Sequence, residues 1–189
     1  MDTSGWIYDL GWEAYPHLRE EENALDMLSR SLPPEHPDFL RRKRSVGKAY
    51  GDAGLLREAK SILGEVLRVQ EEVQGIAHPD TLDTQEALAE IASDLGDGDG
   101  AVSIMQSVLV TQSGTSAFTQ VEIENTRMHL AEIYDRFARF TEAIEEYQRA
   151  LGRLSELLGA THRGTLSCLD NLGICFTHAG RYPEAIEAF

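Results

Sequence analysis

The chain has 189 residues, with 42% hydrophobic and 26% charged side chains, a composition that folds rather than staying disordered. Thirty-two acidic residues against 17 Lys and Arg give a formal charge of −15, which excludes general nucleic-acid binding, since phosphates demand a basic surface. No apolar run approaches the ~18 residues that span a bilayer, which excludes membrane insertion. The N-terminus, Met1-Asp2-Thr3-Ser4-Gly5-Trp6, lacks a basic stretch followed by an apolar one, so the expected location is cytoplasmic.

Along the chain, residues 1–35 read as a degenerate N-terminal helix pair. Gly5, Tyr8 and Gly11-Trp12-Glu13-Ala14 imitate a first helix and turn, Leu18, Leu25 and Leu28 supply the stripe of a second, and Trp6 and Trp12 act as a cap. A register of 42 residues then begins. His36-Pro37-Asp38-Phe39-Leu40 returns as His78-Pro79-Asp80-Thr81-Leu82. The third start, at Gln120, has lost the motif, and the fourth keeps His162 and Thr165-Leu166. A turn residue recurs at Gly54, Gly96, Ala138 and Gly180, and a small residue at Ala59, Ala101, Ala143 and Ala185. A bulky one follows at Leu63, Met105, Tyr147 and Phe189. The periodicity predicts first helices near 39–52, 81–95, 122–137 and 164–178, with partners near 55–73, 98–112, 140–158 and from 182 onward. Small residues at the crossings let antiparallel helices approach. Proline fits the first turn of each helix, aspartate there caps amides and favours the helix dipole, and Gly159 suits a left-handed helix end. Four units follow: 36–77, a divergent 78–119, 120–161, and 162–189. The last is truncated at Phe189 inside a helix, so the chain reads as part of a longer repeat array.

Two features break the register. Asp97-Gly98-Asp99-Gly100 puts two glycines where helix is expected, at about 1 kcal/mol each, and Thr111–Ser116 is polar, so the softest point is expected between the second and third units. Charge is also uneven. Between Arg68 and Arg127 lie eleven acids and no lysine or arginine, while Arg41, Arg42, Lys43, Arg44 and Lys48 crowd one helix. A surface with a basic end and an acidic middle suits a ligand with acidic and basic ends.

Chemistry is sparse. Cys168 and Cys175, two helical turns apart, are too far for a disulfide and read as core fillers. The histidines at 36, 78 and 162 recur at the repeat spacing, so they start helices rather than converge on one atom. The same periodicity separates them from the single His-Pro-Asp of co-chaperone J-domains. Counting twelve from Asp97 reaches Val108, not the closing glutamate of a calcium loop. Neither a phosphate-binding glycine loop nor a nucleophile elbow is present, and His129 stands alone on its helix. The expectation is no enzyme, no cofactor and no metal.

The run Leu169-Asp170-Asn171-Leu172-Gly173-Ile174-Cys175-Phe176 through Gly180-Arg181-Tyr182-Pro183-Glu184-Ala185, with Tyr134, Ala143, Tyr147 and Ala150, resembles the tetratricopeptide repeat signature. The 42-residue spacing and the His-Pro-Asp-Thr-Leu linker are similar to the kinesin light chain-like type, which also occurs in repeat tails of signalling NTPases. The resemblance implies an all-α, right-handed α-solenoid of antiparallel helix pairs that acts as a protein-interaction scaffold. An alternative role is the repeat or sensor region of a larger signalling NTPase or motor adaptor. It further implies a peptide groove lined by first-helix positions: Arg41, Arg44, Lys48 and Gly51, then Asp83, Glu86, Glu90 and Ser93. The third unit would add Asn125, Met128, Glu132 and Asp135, and the fourth Ser167, Asp170, Ile174 and Thr177. The expected partner is a protein or peptide, with self-association through the uncapped last repeat as a further contact.

Overall fold

Each His-Pro or His-x start becomes a helix in the computed structural model, which describes residues 15–188. Those residues form nine α-helices and no strand: α1 (Pro16–Ser29), α2 (Pro37–Asp52), α3 (Leu56–Val73), α4 (Pro79–Asp94), α5 (Gly98–Ser113), α6 (Gln120–Arg136), α7 (Phe140–Leu158), α8 (Arg163–His178) and α9 (Tyr182–Ala188). The predicted helices lie within a few residues of these. The expected roles of Gly5, Tyr8, Trp6, Trp12 and Phe189 fall outside the described residues.

The imidazole, not the aspartate, caps the helices. His36 Nδ1 accepts from the Asp38 amide, His78 Nδ1 from the Asp80 amide and His162 Nδ1 from the Gly164 amide, each at 3.1 Å. The carboxylates of Asp38 and Asp80 are thereby released to bind arginines. The threonine of the motif acts on the other side of the linker. Thr81 Oγ1 donates to the Gly75 carbonyl and Thr165 Oγ1 to the Gly159 carbonyl, both at 2.9 Å, tying each linker to the end of the preceding helix. Where the motif is lost, a capping box replaces it. The Thr119 amide donates to Glu122 Oε2 at 2.7 Å and the Glu122 amide to Thr119 Oγ1 at 3.2 Å, which starts α6 at Gln120.

The turn register is a backbone register. Gly54, Gly96 and Gly180 have φ of 77°, 84° and 72°, and Ala138 holds φ 57° without glycine's freedom. In three of these turns the following amide reaches back along the chain to close the helix end, from Leu55 to Tyr50, Arg139 to Tyr134 and Arg181 to Phe176, at 2.8–2.9 Å. Gly159 also has positive φ, 93°, but its ψ of 155° puts it outside the left-handed helical region, in one that essentially only glycine enters.

By its internal contacts the chain divides at Leu95–Gly96 into two compact units, a division that falls inside the second repeat. In the first unit α1 packs on α2, α2 on α3, and α3 on α4, with α2 and α4 also side by side. Its core joins Leu18 of α1 to Val46, Tyr50, Ala59, Leu63 and Ile91, with Leu25 partly buried against it. Tyr50 donates to Glu22 at 2.5 Å and Arg42 pairs with Glu21 at 2.8 Å, which fixes α1 on α2. Burial raises the Glu22 pKa, against the lowering effect of the Tyr50 hydrogen bond.

In the second unit α5 through α9 pack in sequence, and α6 also meets α8. The small residues Ala101, Ala131 and Ala143 have no exposed surface, which lets the backbones close in. The glycines of Asp97–Gly100 do not break the helix. A side chain on Gly98 would run into the Phe137 ring at 2.7 Å, and Asp97 Oδ1 accepts from the Gly100 amide at 3.0 Å as the α5 cap. That carboxylate has capping work, which accounts for the motif without calcium.

The stacking contacts repeat as well. Thr84 Oγ1 donates to Gln70 Oε1 at 2.7 Å in a fully buried pair. One period on stand Gln112 and Thr126, also buried, and another period on Leu154 and Cys168, so the last junction is apolar. Burial pushes the thiols of Cys168 and Cys175 up to about 12, in keeping with core fillers.

Candidate functional site

The expected groove residues lie on the first helices, and α2 and α4 bring the first set together. Arg44 is nearly enclosed. Its Nη1 donates to the Asp80 carbonyl at 3.0 Å and lies 3.1 Å from Asp83 Oδ2 and 3.6 Å from Asp80 Oδ1. Arg41 reaches Asp80 Oδ2 at 3.6 Å and binds Asp38, while Lys48 Nζ stands 3.9 Å from Glu90 Oε2. The cations of α2 are therefore already answered by the acids of α4, so the basic end expected from the sequence is largely neutralised within the unit. Burial raises the Asp83 pKa. Arg44 opposes that rise and Glu86 adds to it. By count, Asp80, Asp83, Glu86 and Glu90 outnumber Arg41, Arg44 and Lys48, so these positions keep an acidic surplus.

Two positions do not line a groove here. Ser93 is buried, and a side chain on Gly51 would meet Ile91 Cδ1 at 2.6 Å, so the glycine serves helix contact instead.

In the second unit α6 and α8 form the corresponding face. Asn171 Nδ2 donates to Glu132 Oε1 at 3.2 Å, and His178 Nδ1 lies 2.8 Å from Asp135 Oδ2. Asn125, Glu132, Ser167, Asp170 and Thr177 belong to the same two helices, and all five are exposed. Ile174 is 44% exposed, an apolar side chain set among polar ones. Met128, expected to offer apolar surface, is only 9% exposed, because its place on α6 turns it into the core. Among the described residues no three His, Cys, Asp or Glu side chains come together to hold a metal ion. None of these helices is long and apolar enough to cross a membrane.

One constellation was not anticipated from the sequence. Glu124, 3% exposed, accepts from Arg127 Nε at 2.8 Å, and Arg127 Nη1 reaches Glu146 Oε2 at 2.7 Å. The signal was in the register: one period before Glu124 stands Leu82, and before that Leu40.

Family models described as tetratricopeptide repeat match residues 40–80 and 122–189, together more than half of the chain and taking in most of α2, all of α3 and most of α6 through α9. The chain belongs to the tetratricopeptide repeat family. Its fold is that family's all-α solenoid of antiparallel helix pairs, a fold consistent with a protein-interaction scaffold. Among solved structures, the nearly identical repeats of a protein assigned as a kinesin light chain from Podosopora anserina are 22% identical. That match covers 96% of this chain and 86% of that one, with a TM-score of 0.76. A Rap protein complexed with competence and sporulation factor is 12% identical with a TM-score of 0.76, over 93% of this chain and 47% of that one. Bacillus thuringiensis PlcR, in complex with a peptide and DNA, is 14% identical with a TM-score of 0.68, over 94% and 64%. At these identities the likeness is one of fold. No curated protein sequence matches this tetratricopeptide repeat chain.

Proposed function

We propose that this chain is a non-enzymatic scaffold that binds a protein or peptide segment on the faces formed by its first helices. The observation that carries the reading is the α6–α8 face, where Ile174 stays 44% exposed within a row of polar side chains. Full burial of an isoleucine contributes about 1.5–3 kcal/mol, so covering the remaining surface adds roughly 1 kcal/mol. Asn125, Glu132 and Asp170 around it supply hydrogen bonds and orientation. The peptide-bound state of PlcR, which shares the fold, supports the same use here. On the α2–α4 face, Arg41, Arg44 and Lys48 act mainly through their pairs with Asp80, Asp83 and Glu90. A partner there meets an acidic surface in which Glu86 and Glu90 take part.

The test is peptide display against the chain, followed by affinity measurement on variants. Ile174→Asp and Glu132→Lys should weaken selected peptides tenfold or more. Val110→Asp, at a 72% exposed position on α5, should leave them unchanged. Equal binding to all three variants would refute the face assignment.

A further inference from the structure

A second site lies on the other side of α6, where that helix faces α7. There a cavity of about 410 Å³ is lined by Arg127, Arg149, Arg153 and Glu124 together with Ser113, Gln120 and Ile123. Arg127 is held from behind by Glu124 and Glu146, as described above. Arg149 bonds Glu145 and Glu146, and Arg153 bonds Glu156 at 2.8 Å. The Arg149–Glu145 and Arg153–Glu156 pairs join neighbours on one helix with half-exposed side chains, a weak kind that is easily exchanged. A guanidinium carries five N–H donors, so each arginine has donors left over for a ligand.

Comparison within the chain shows that this constellation is not a stacking requirement. At the five places held here by Glu124, Arg127, Glu146, Arg149 and Arg153, the second repeat has Leu82, Gln85, Ile104, Ser107 and Thr111. The first has Leu40, Lys43, Ile62, Glu65 and Val69, and its Lys43–Glu65 pair closes on itself at 2.7 Å. Leu40 and Leu82 are each 1% exposed, so the leucine position stacks without a charge. Replacing it with a buried ion pair brings a desolvation cost that a leucine would avoid. Of these three repeats, the third alone is charged at all five places.

We propose that this cavity binds a phosphate monoester dianion. Three guanidinium cations, Arg127, Arg149 and Arg153, stand against Glu124 and the fixed Glu146, so a surplus of one positive charge faces the cavity once Glu145 and Glu156 are displaced. A phosphate monoester carries about −1.5 to −2 at neutral pH and takes bidentate hydrogen bonds from arginine. Arg127, fixed by its two glutamates, is the preorganised donor, and Arg149 and Arg153 close over the ligand by giving up their weak surface pairs. The dianion is supplied either by a phosphorylated peptide or by a free phosphate, and the site is independent of the α6–α8 face.

The test is calorimetric titration of the 189-residue protein, in phosphate-free buffer, with inorganic phosphate, a phosphoserine peptide and the same peptide carrying glutamate instead. Saturable binding of a phosphate probe, weakened at least tenfold in Arg149→Gln/Arg153→Gln with unchanged helical circular dichroism, is the expected result. Tighter binding of the phosphopeptide than of inorganic phosphate assigns the source to a peptide, and equal binding assigns it to free phosphate. The triple variant Glu124→Leu/Arg127→Gln/Glu146→Ile, which installs the second repeat's residues, should fold and lose binding. Should it not fold, the double arginine variant decides. Absence of saturable binding by either phosphate probe overturns the proposal. So does undiminished affinity in the double variant, or equal affinity for the glutamate peptide.

Discussion

Ala138 occupies the one turn of the register that glycine does not, and replacing it with glycine should stabilise the protein. Its φ of 57° lies in the left-handed region, where an L-residue with a side chain costs about 1–2 kcal/mol. Glycine removes that cost and returns about 0.5–1 kcal/mol through its greater freedom in the unfolded chain. The difference is a gain of roughly 0.5–1 kcal/mol for Ala138→Gly. The turn itself should not change, because Arg139 still donates to the Tyr134 carbonyl at 2.8 Å and its guanidinium still lies 4.6 Å from the Tyr134 ring centre. Gly180→Ala is the converse. Nothing lies within 4 Å of a side chain placed there, so its cost is the backbone term alone, of similar size and opposite sign. Urea unfolding should show a higher midpoint for Ala138→Gly at unchanged slope, and the melting temperature should rise by about 1–4 °C. A lower midpoint for Ala138→Gly, or a higher one for Gly180→Ala, would refute the claim that the register position is selected for backbone conformation.

Three further outcomes follow from the same structure. Gly98→Ala should destabilise by about 1–3 kcal/mol, measured by urea unfolding, since the added carbon meets the Phe137 ring at 2.7 Å. Thr119→Ala should cost about 1 kcal/mol by removing the α6 cap. The backbone hydrogen bond from Thr119 holds the Glu122 carboxyl below its ordinary 4.5. The capping box therefore contributes fully above that value and is lost as pH falls through the lower folded pKa, so the gap between wild type and Thr119→Ala should narrow in acid unfolding. Cys168 and Cys175, raised to about 12 by burial, should stay unreactive toward a thiol-specific disulfide reagent at about pH 8 until denaturant is added.

Much of the fold is legible in the sequence because the fold is a repeated local event. His-Pro-Asp-Thr-Leu marks a helix start, the turn glycines mark its end, and the alanines mark crossings where only a methyl group fits. Which side chain performs the capping was not legible, because His36 and Asp38 are both competent and only geometry shows the imidazole Nδ1 on the free amide. The face was legible as a set of positions but not as a set of charges. Arg44 reads as a free cation in sequence, and only the packing of α2 beside α4 brings it to Asp80 and Asp83. Met128 and Ser93 were misjudged because a helical wheel gives direction and not depth, and both turn far enough toward a neighbouring helix to be covered. Glu124 shows the reverse: it departs from the leucine of the two preceding repeats, a signal present in the register but not read from it, and its burial and partners needed coordinates.

The scaffold reading is tested most directly by photo-crosslinking a display-selected peptide to the chain, with a photoreactive residue placed in turn at Asn125, Ser167 and Ile174 on the α6–α8 face and at Val110 and Leu157 elsewhere. Crosslinks confined to the first three positions are predicted. Crosslinks at Val110 or Leu157 with none on the α6–α8 face would contradict it.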